Sequence, residues 1–122
     1  MRVLLVEDNA LNVEFFVDVL EGDGHEVVVE RSGDGGERRA LSEHFDVLIL
    51  DIQLPGSRGD DVCRRLRGSG SRAPILGLSS DAMPEQIAHG VAAGFDAYLT
   101  KPISAADLRD AVRRYTSAER PA

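Results

Sequence analysis

The sequence predicts a single α/β domain, a doubly wound parallel sheet of five strands with five helices. Three observations predict it. Short apolar runs at residues 3–6, 47–50 and 74–78 have the profile of strands buried on both faces. Each is followed by a loop and then by a segment with helical spacing. The alternation recurs five times without interruption, which calls for parallel strands joined by right-handed helical crossovers.

The elements follow in order. Residues 3–6 form the first strand, which runs into Glu7 and Asp8. Asn9 suits an N-cap, and Phe15, Phe16, Val19 and Leu20 recur at helical spacing before Gly22 and Gly24 stop the first helix. Residues 27–29 are β-branched and read as a strand, residues 33–36 as a glycine-rich turn, and residues 37–45 as a second helix that turns Ala40 and Leu41 inward. The strand at 47–50 ends in Asp51. Pro55, Gly56 and Gly59 make residues 53–59 a loop, and Val62 with Leu66 marks the buried stripe of a third helix. After a loop at 68–73, the strand at 74–78 ends in Ser79 and a helix over 83–93 is closed by Gly94. The last unit is a strand at 97–100, then Lys101 and Pro102, then a helix capped by Ser104 with Asp107 at its third position. This assigns residues 1–116 to one domain and residues 117–122 to a frayed tail.

Composition limits the function. With 122 residues, 43% hydrophobic and 29% charged, the chain can bury its own core and lies outside the regime of disorder. Fourteen Lys and Arg against 21 Asp and Glu give a net charge of −7. That balance argues against nucleic acid or an anionic membrane as a direct partner. A lone cysteine, no signal-like start and no apolar stretch near 20 residues point to the cytoplasm.

In open α/β sheets, ligands bind beyond the carboxyl ends of the strands. Those ends carry Glu7 and Asp8, Asp51, Ser79 and Lys101. Carboxylates converging there would repel one another unless a cation sat among them, and oxygen ligands suit a hard ion such as Mg²⁺. Lys101 is the only lysine in a chain otherwise basic through arginine. Its compact ammonium can neutralise a phosphoryl oxygen where a guanidinium would be too broad. The combination suggests phosphoryl transfer onto an aspartate.

Four segments, VEDN (6–9), DIQLPGSRG (51–59), ILGLSSDA (75–82) and YLTKPI (98–103), fall in order along the chain. Together they resemble the response-regulator receiver family, whose CheY-like fold orders its strands 2-1-3-4-5. VEDNALN and DIQLP are similar to both single-domain receivers and the receivers of hybrid histidine kinases; the expectation is a stand-alone single-domain response regulator, with a receiver fragment of a hybrid kinase as the alternative. The resemblance implies that Asp51 accepts a phosphoryl group. Asp8 would bind Mg²⁺ directly, Glu7 mainly through water, and the backbone carbonyl of Gln53 would be a further ligand. Ser79 and Lys101 would contact the phosphoryl group, Ser80 would lend a backbone N–H, Pro102 would follow a cis peptide, and Tyr98 would act with Ser79 as the switch. The implied partners are a histidine kinase or histidine phosphotransfer protein and a downstream target protein. The domain would catalyse only its own phosphorylation and dephosphorylation. Ser79 is the smaller hydroxyl option, Ser80 replaces a more usual Ala or Gly, and Arg58 stands where small or acidic residues are common. Gln53 and Asp81 fall where side chains influence the lifetime of the phosphoryl group.

Other functions fit less well. An aspartyl-phosphate hydrolase would want an acid or base two residues after the nucleophile, where Gln53 stands. A flavin carrier of this fold needs a phosphate loop after the first strand, where Glu7 and Asp8 would repel phosphate. A phosphorylation-independent interaction module would not need every active position filled. Cys63 reads as a packing residue, His25, His44 and His89 as isolated surface or boundary residues, and the arginines 58, 64, 65, 67 and 72 as a solvated face. Leu11 and Phe15, on the first helix beside the acidic rim, are candidates for docking a partner's helix.

Overall fold

The computed structural model describes residues 1–80 and 83–116; the expected tail and Asp81 lie outside the described residues. The elements are β1 (Arg2–Val6), α1 (Ala10–Gly22), β2 (Glu26–Glu30), α2 (Gly33–Ser42), β3 (Val47–Asp51), α3 (Gly59–Gly68), β4 (Ile75–Ser79), α4 (Pro84–Ala93), β5 (Ala97–Thr100) and α5 (Ala105–Thr116). All strand pairs are parallel, in the order β2-β1-β3-β4-β5. The expected fold class is therefore the one observed.

The apolar runs bury both faces because alternate residues of a strand point to opposite sides. Leu4, Val6, Leu48 and Leu50 pack with Val62 and Leu66 of α3 and with Phe95. Val3, Leu5, Val47 and Ile49 pack with Phe16 and Leu20 of α1 and with Leu108 and Val112 of α5. Caps fix where helices begin. The Asn9 side chain accepts the Asn12 N–H at 3.0 Å, and Ser104 Oγ accepts the Asp107 N–H at 3.0 Å. Gly94, at φ +108°, closes α4 in the left-handed region.

One element departs from expectation. Residues 33–36 form the first turn of α2, and the helix ends at Ser42. Ser32 caps it by accepting the Gly35 N–H at 3.1 Å. Gly36 lies so close to β1 that a Cβ there would come within 2.6 Å of Val6 Cγ2. The glycines cost helix propensity, about 1 kcal/mol each, but their missing side chains let α2 reach the sheet. The buried arc of α2 runs through Gly33, Gly36 and Ala40, three to four residues apart. Ala40 is half-buried against the core, whereas Leu41 is 53% exposed, against expectation. Phe45 is buried beyond the helix, with the Arg2 guanidinium 4.6 Å from its ring centre.

Arg67 also departs from the expected solvated face. It donates to the carbonyls of Gly94, Ser71 and Ala73 and pairs with Asp96, tying α3 to the edge of the sheet.

Candidate active site

The parallel register brings the strand ends to one rim. Val6 pairs with Leu50, Asp51 with Leu78, and Ser79 with Thr100, so the ends of β1 and β4 flank the end of β3 and the end of β5 lies one strand beyond β4. Glu7 is fully buried, Asp51 and Ser79 are buried, and Asp8 is exposed. Carboxylate oxygens of Glu7, Asp8 and Asp51 lie within 4.8 Å of one another. The sequence-predicted acidic residues thus converge.

Lys101 Nζ enters this cluster, 2.6 Å from Asp51 Oδ2 and 3.1 Å from Glu7 Oε1. Its backbone N–H donates to Ser79 O at 2.7 Å, which fixes where the side chain starts, and the Lys101–Pro102 peptide is cis as expected. Burial on its own would lower the Lys101 pKa, but the hydrogen bonds to Asp51 and Glu7 outweigh it and the net direction is upward. The ammonium is charged at any physiological pH. One ammonium against three carboxylates still leaves the cluster net negative. The donor set is all hard oxygen, which fits Mg²⁺.

Asp51 Oδ1 accepts the Gln53 N–H at 2.9 Å, while the Gln53 side chain is exposed. The following loop folds back so tightly that a Cβ at Gly59 would collide with the carbonyl oxygen of Asp51. Glycine at that position lets α3 begin directly behind the acidic residue. Ser79 ends β4 at the rim, and Ser80 beside it is exposed. Tyr98 is half-buried on β5, with its ring over Gly90 of α4.

Beside the acidic cluster is a cleft of about 560 Å³ lined by Asn12, Phe15, Phe16, Ser80, Lys101, Pro102 and Ile103. Leu11 is 76% exposed and Phe15 38% exposed, so the two docking candidates stand at the surface as expected.

Asn12 was not singled out by sequence reasoning. Its Nδ2 donates to Glu7 Oε1 at 3.1 Å, and the Asn9 N–H donates to Glu7 Oε2 at 3.3 Å. The available signal was position: helical side chains lean toward the helix N-terminus, so a first-turn amide can reach back to the preceding strand end.

The sequence matches the response regulator receiver domain model over residues 3–113. The chain belongs to the response regulator receiver family. This receiver is 34% identical over 118 residues to the polar-differentiation response regulator DivK of Brucella ovis, a match covering 93% of this chain and 94% of DivK. It is 33% identical over 120 residues to hybrid signal transduction histidine kinase G of Dictyostelium discoideum, covering 94% of this chain and 4% of that protein. Across four larger curated relatives, the receiver spans between 4% and 47% of their length. In structure it resembles the receiver domain of sensor histidine kinase PA1611 of Pseudomonas aeruginosa, at a TM-score of 0.88 and 29% identity, covering 96% of this chain and 98% of that one. That relative holds a magnesium ion in its active site cleft.

Residues set aside at the sequence level behave unevenly. Cys63 is fully buried in the core, and burial pushes its thiol up to about 11, so it is a packing residue. The histidines are not isolated in space. His25 lies 3.7 Å from Asp23, His44 lies 3.4 Å from Asp46, and His89 Nε2 lies 2.9 Å from Asp60 Oδ2. Asp60, only 3% exposed, also accepts from Arg58 Nε at 3.2 Å. Arg58, at the N-cap of α3, therefore has a structural partner in the first turn of that helix. No described helix is long and apolar enough to cross a membrane.

Proposed function

We propose that this receiver accepts a phosphoryl group on Asp51 from a phosphohistidine of a histidine kinase or phosphotransfer protein. The observation that carries the reading is the Asp51 carboxylate at the end of β3, 2.6 Å from the only lysine and within 4.8 Å of Glu7 and Asp8. A carboxylate oxygen of Asp51 attacks phosphorus, the P–N bond to imidazole breaks, and the leaving nitrogen keeps the electron pair. The product is an acyl phosphate on Asp51. Lys101 and the Ser79 hydroxyl hold the phosphoryl oxygens, and the Ser80 N–H donates to one of them. Asp8 and Asp51, with the Gln53 carbonyl, would hold Mg²⁺. Glu7 sits behind them, because both its oxygens already accept hydrogen bonds from protein groups. When bound, the ion supplies positive charge that offsets charge on the transferring phosphoryl oxygens.

The remaining roles belong to surfaces. Leu11 and Phe15 border the cleft that opens on Lys101, which suits docking of the donor's helix. Met83, Ile87 and Val91 form an exposed apolar stripe along α4, beside Tyr98, which suits recognition of a downstream target. Phosphorylation shifts a pre-existing equilibrium in which Ser79 moves toward the phosphoryl group and Tyr98 turns inward. The receiver turns over no small-molecule substrate and works in the cytoplasm. Its relatives include a single-domain regulator and a hybrid kinase, and this chemistry serves either setting.

The test is intact-mass spectrometry after treatment with acetyl phosphate and Mg²⁺. Wild type gains one phosphoryl group and Asp51→Asn gains none. Equal labelling of the variant would place the phosphoryl group on another residue, and no labelling of wild type would favour a phosphorylation-independent interaction module.

A further inference from the structure

We infer that Asn12 is a positioning residue that allows Lys101 to leave Glu7 when Asp51 is phosphorylated. The inference rests on the phosphoacceptor reading above. Glu7 Oε1 accepts two hydrogen bonds, from Lys101 Nζ and from Asn12 Nδ2, both at 3.1 Å. Its other oxygen is held by the Asn9 N–H at 3.3 Å. The carboxylate is fully buried, so water does not substitute for a lost donor.

Phosphorylation moves the charge that Lys101 serves. Before transfer, Nζ is shared between Asp51 Oδ2 and Glu7 Oε1. Afterwards the Asp51 carboxylate has become a neutral acyl group, and the negative charge lies on phosphoryl oxygens farther out. The ammonium follows it. Without a second donor, that movement would strip Oε1 of its only partner and leave a buried carboxylate oxygen unsatisfied. Asn12 is in place beforehand, on the first turn of α1, and keeps Oε1 satisfied. It is a neutral donor, so it satisfies the oxygen without bringing a second charge to the site. Asn12 also lines the cleft into which Lys101 opens, together with Phe15.

Two measurements test this. In the first, beryllofluoride is titrated with Mg²⁺ as a phosphoryl mimic and binding is followed by amide NMR. Asn12→Leu binds it about tenfold more weakly, the ratio expected from roughly 1.4 kcal/mol, while its affinity for Mg²⁺ alone stays near wild type. A residue with only a structural role would change both affinities together or neither, and either result overturns the inference. Asn12→Ala serves if the leucine variant folds poorly. The second measurement is a metal-free double-mutant cycle in thermal denaturation with Asn12→Leu and Lys101→Met. Each single variant leaves Oε1 one donor and the double variant leaves it none, so the double loses more stability than the two singles combined. Additive losses overturn the inference. If wild type itself fails to bind beryllofluoride, the phosphoacceptor reading falls and the inference with it, whereas wild-type binding that Asn12→Leu leaves unchanged overturns the inference alone.

Discussion

The ring of Tyr98 lies over Gly90 so closely that a Cβ on that glycine would come within 2.7 Å of Tyr98 Cδ2. Glycine at the middle of α4 is therefore what allows the aromatic ring of β5 to pack against that helix. Gly90→Ala forces the ring to turn or α4 to shift, at a cost of roughly 1–3 kcal/mol for overpacking. We expect amide and ring NMR shifts concentrated at Tyr98 and along α4, with the rate of Asp51 labelling by acetyl phosphate close to wild type. Unmoved Tyr98 resonances would show that the ring has slack there.

Mg²⁺ should raise the melting temperature, because Glu7, Asp8 and Asp51 repel one another and Lys101 compensates only part of their charge. The rise should shrink strongly in Asp8→Asn, which removes an exposed ligand without touching the buried pair. A full rise in that variant would place the ion elsewhere.

The Asp60 carboxyl links α3 to α4. Burial pushes its pKa up, but the Arg58 hydrogen bond, the Arg58 charge, the Asp61 N–H and His89 outweigh burial and hold it below the ordinary carboxylate value. A carboxyl depressed in the folded state adds stability that is fully present above the ordinary value of 3.8 and is lost as pH falls through its own lower pKa. Asp60→Ala should cost roughly 1–3 kcal/mol at pH 7. In urea denaturation, the difference between wild type and variant should narrow below about pH 4. A constant difference would mean that the loss comes from packing alone.

His25 has the opposite fit to its surroundings. Both ring nitrogens are buried without a hydrogen-bond partner among the described residues, and burial, aided by the N-terminal charge, depresses the imidazole pKa despite Asp23 at 3.7 Å. Because the folded pKa lies below the unfolded one, stability is fully present above about pH 6.5 and falls as the pH drops below it. Denaturant midpoints of wild type and His25→Leu should diverge between pH 7 and 5, with the leucine variant losing less. Parallel curves would exclude His25 as a source of acid sensitivity.

Much of the molecule was legible in its one-dimensional pattern. A strand buried on both faces must be apolar throughout, so residues 3–6, 47–50 and 74–78 could be assigned without a partner in view. Parallel connection then sends every strand's carboxyl end to the same rim, and Glu7, Asp8, Asp51, Ser79 and Lys101 could be grouped by counting residues. The start of α2 was not legible, because glycine signals a turn locally and its packing against Val6 is a long-range fact.

What the sequence by itself determined was thus the alternation, the strand order implied by its motifs, and the identity of the groups at the rim. Tertiary structure alone decided which of those groups share a proton or a charge. That Lys101 bridges Asp51 and Glu7, that Asn12 reaches back to the same Glu7 oxygen, and that His89 meets Asp60 across two helices all depend on distances of about 3 Å. Hydrogen bonds at that range are set by helix rotation and side-chain direction, which residue spacing constrains only loosely, whereas burial averages over a whole face and is written directly in the pattern of apolar residues.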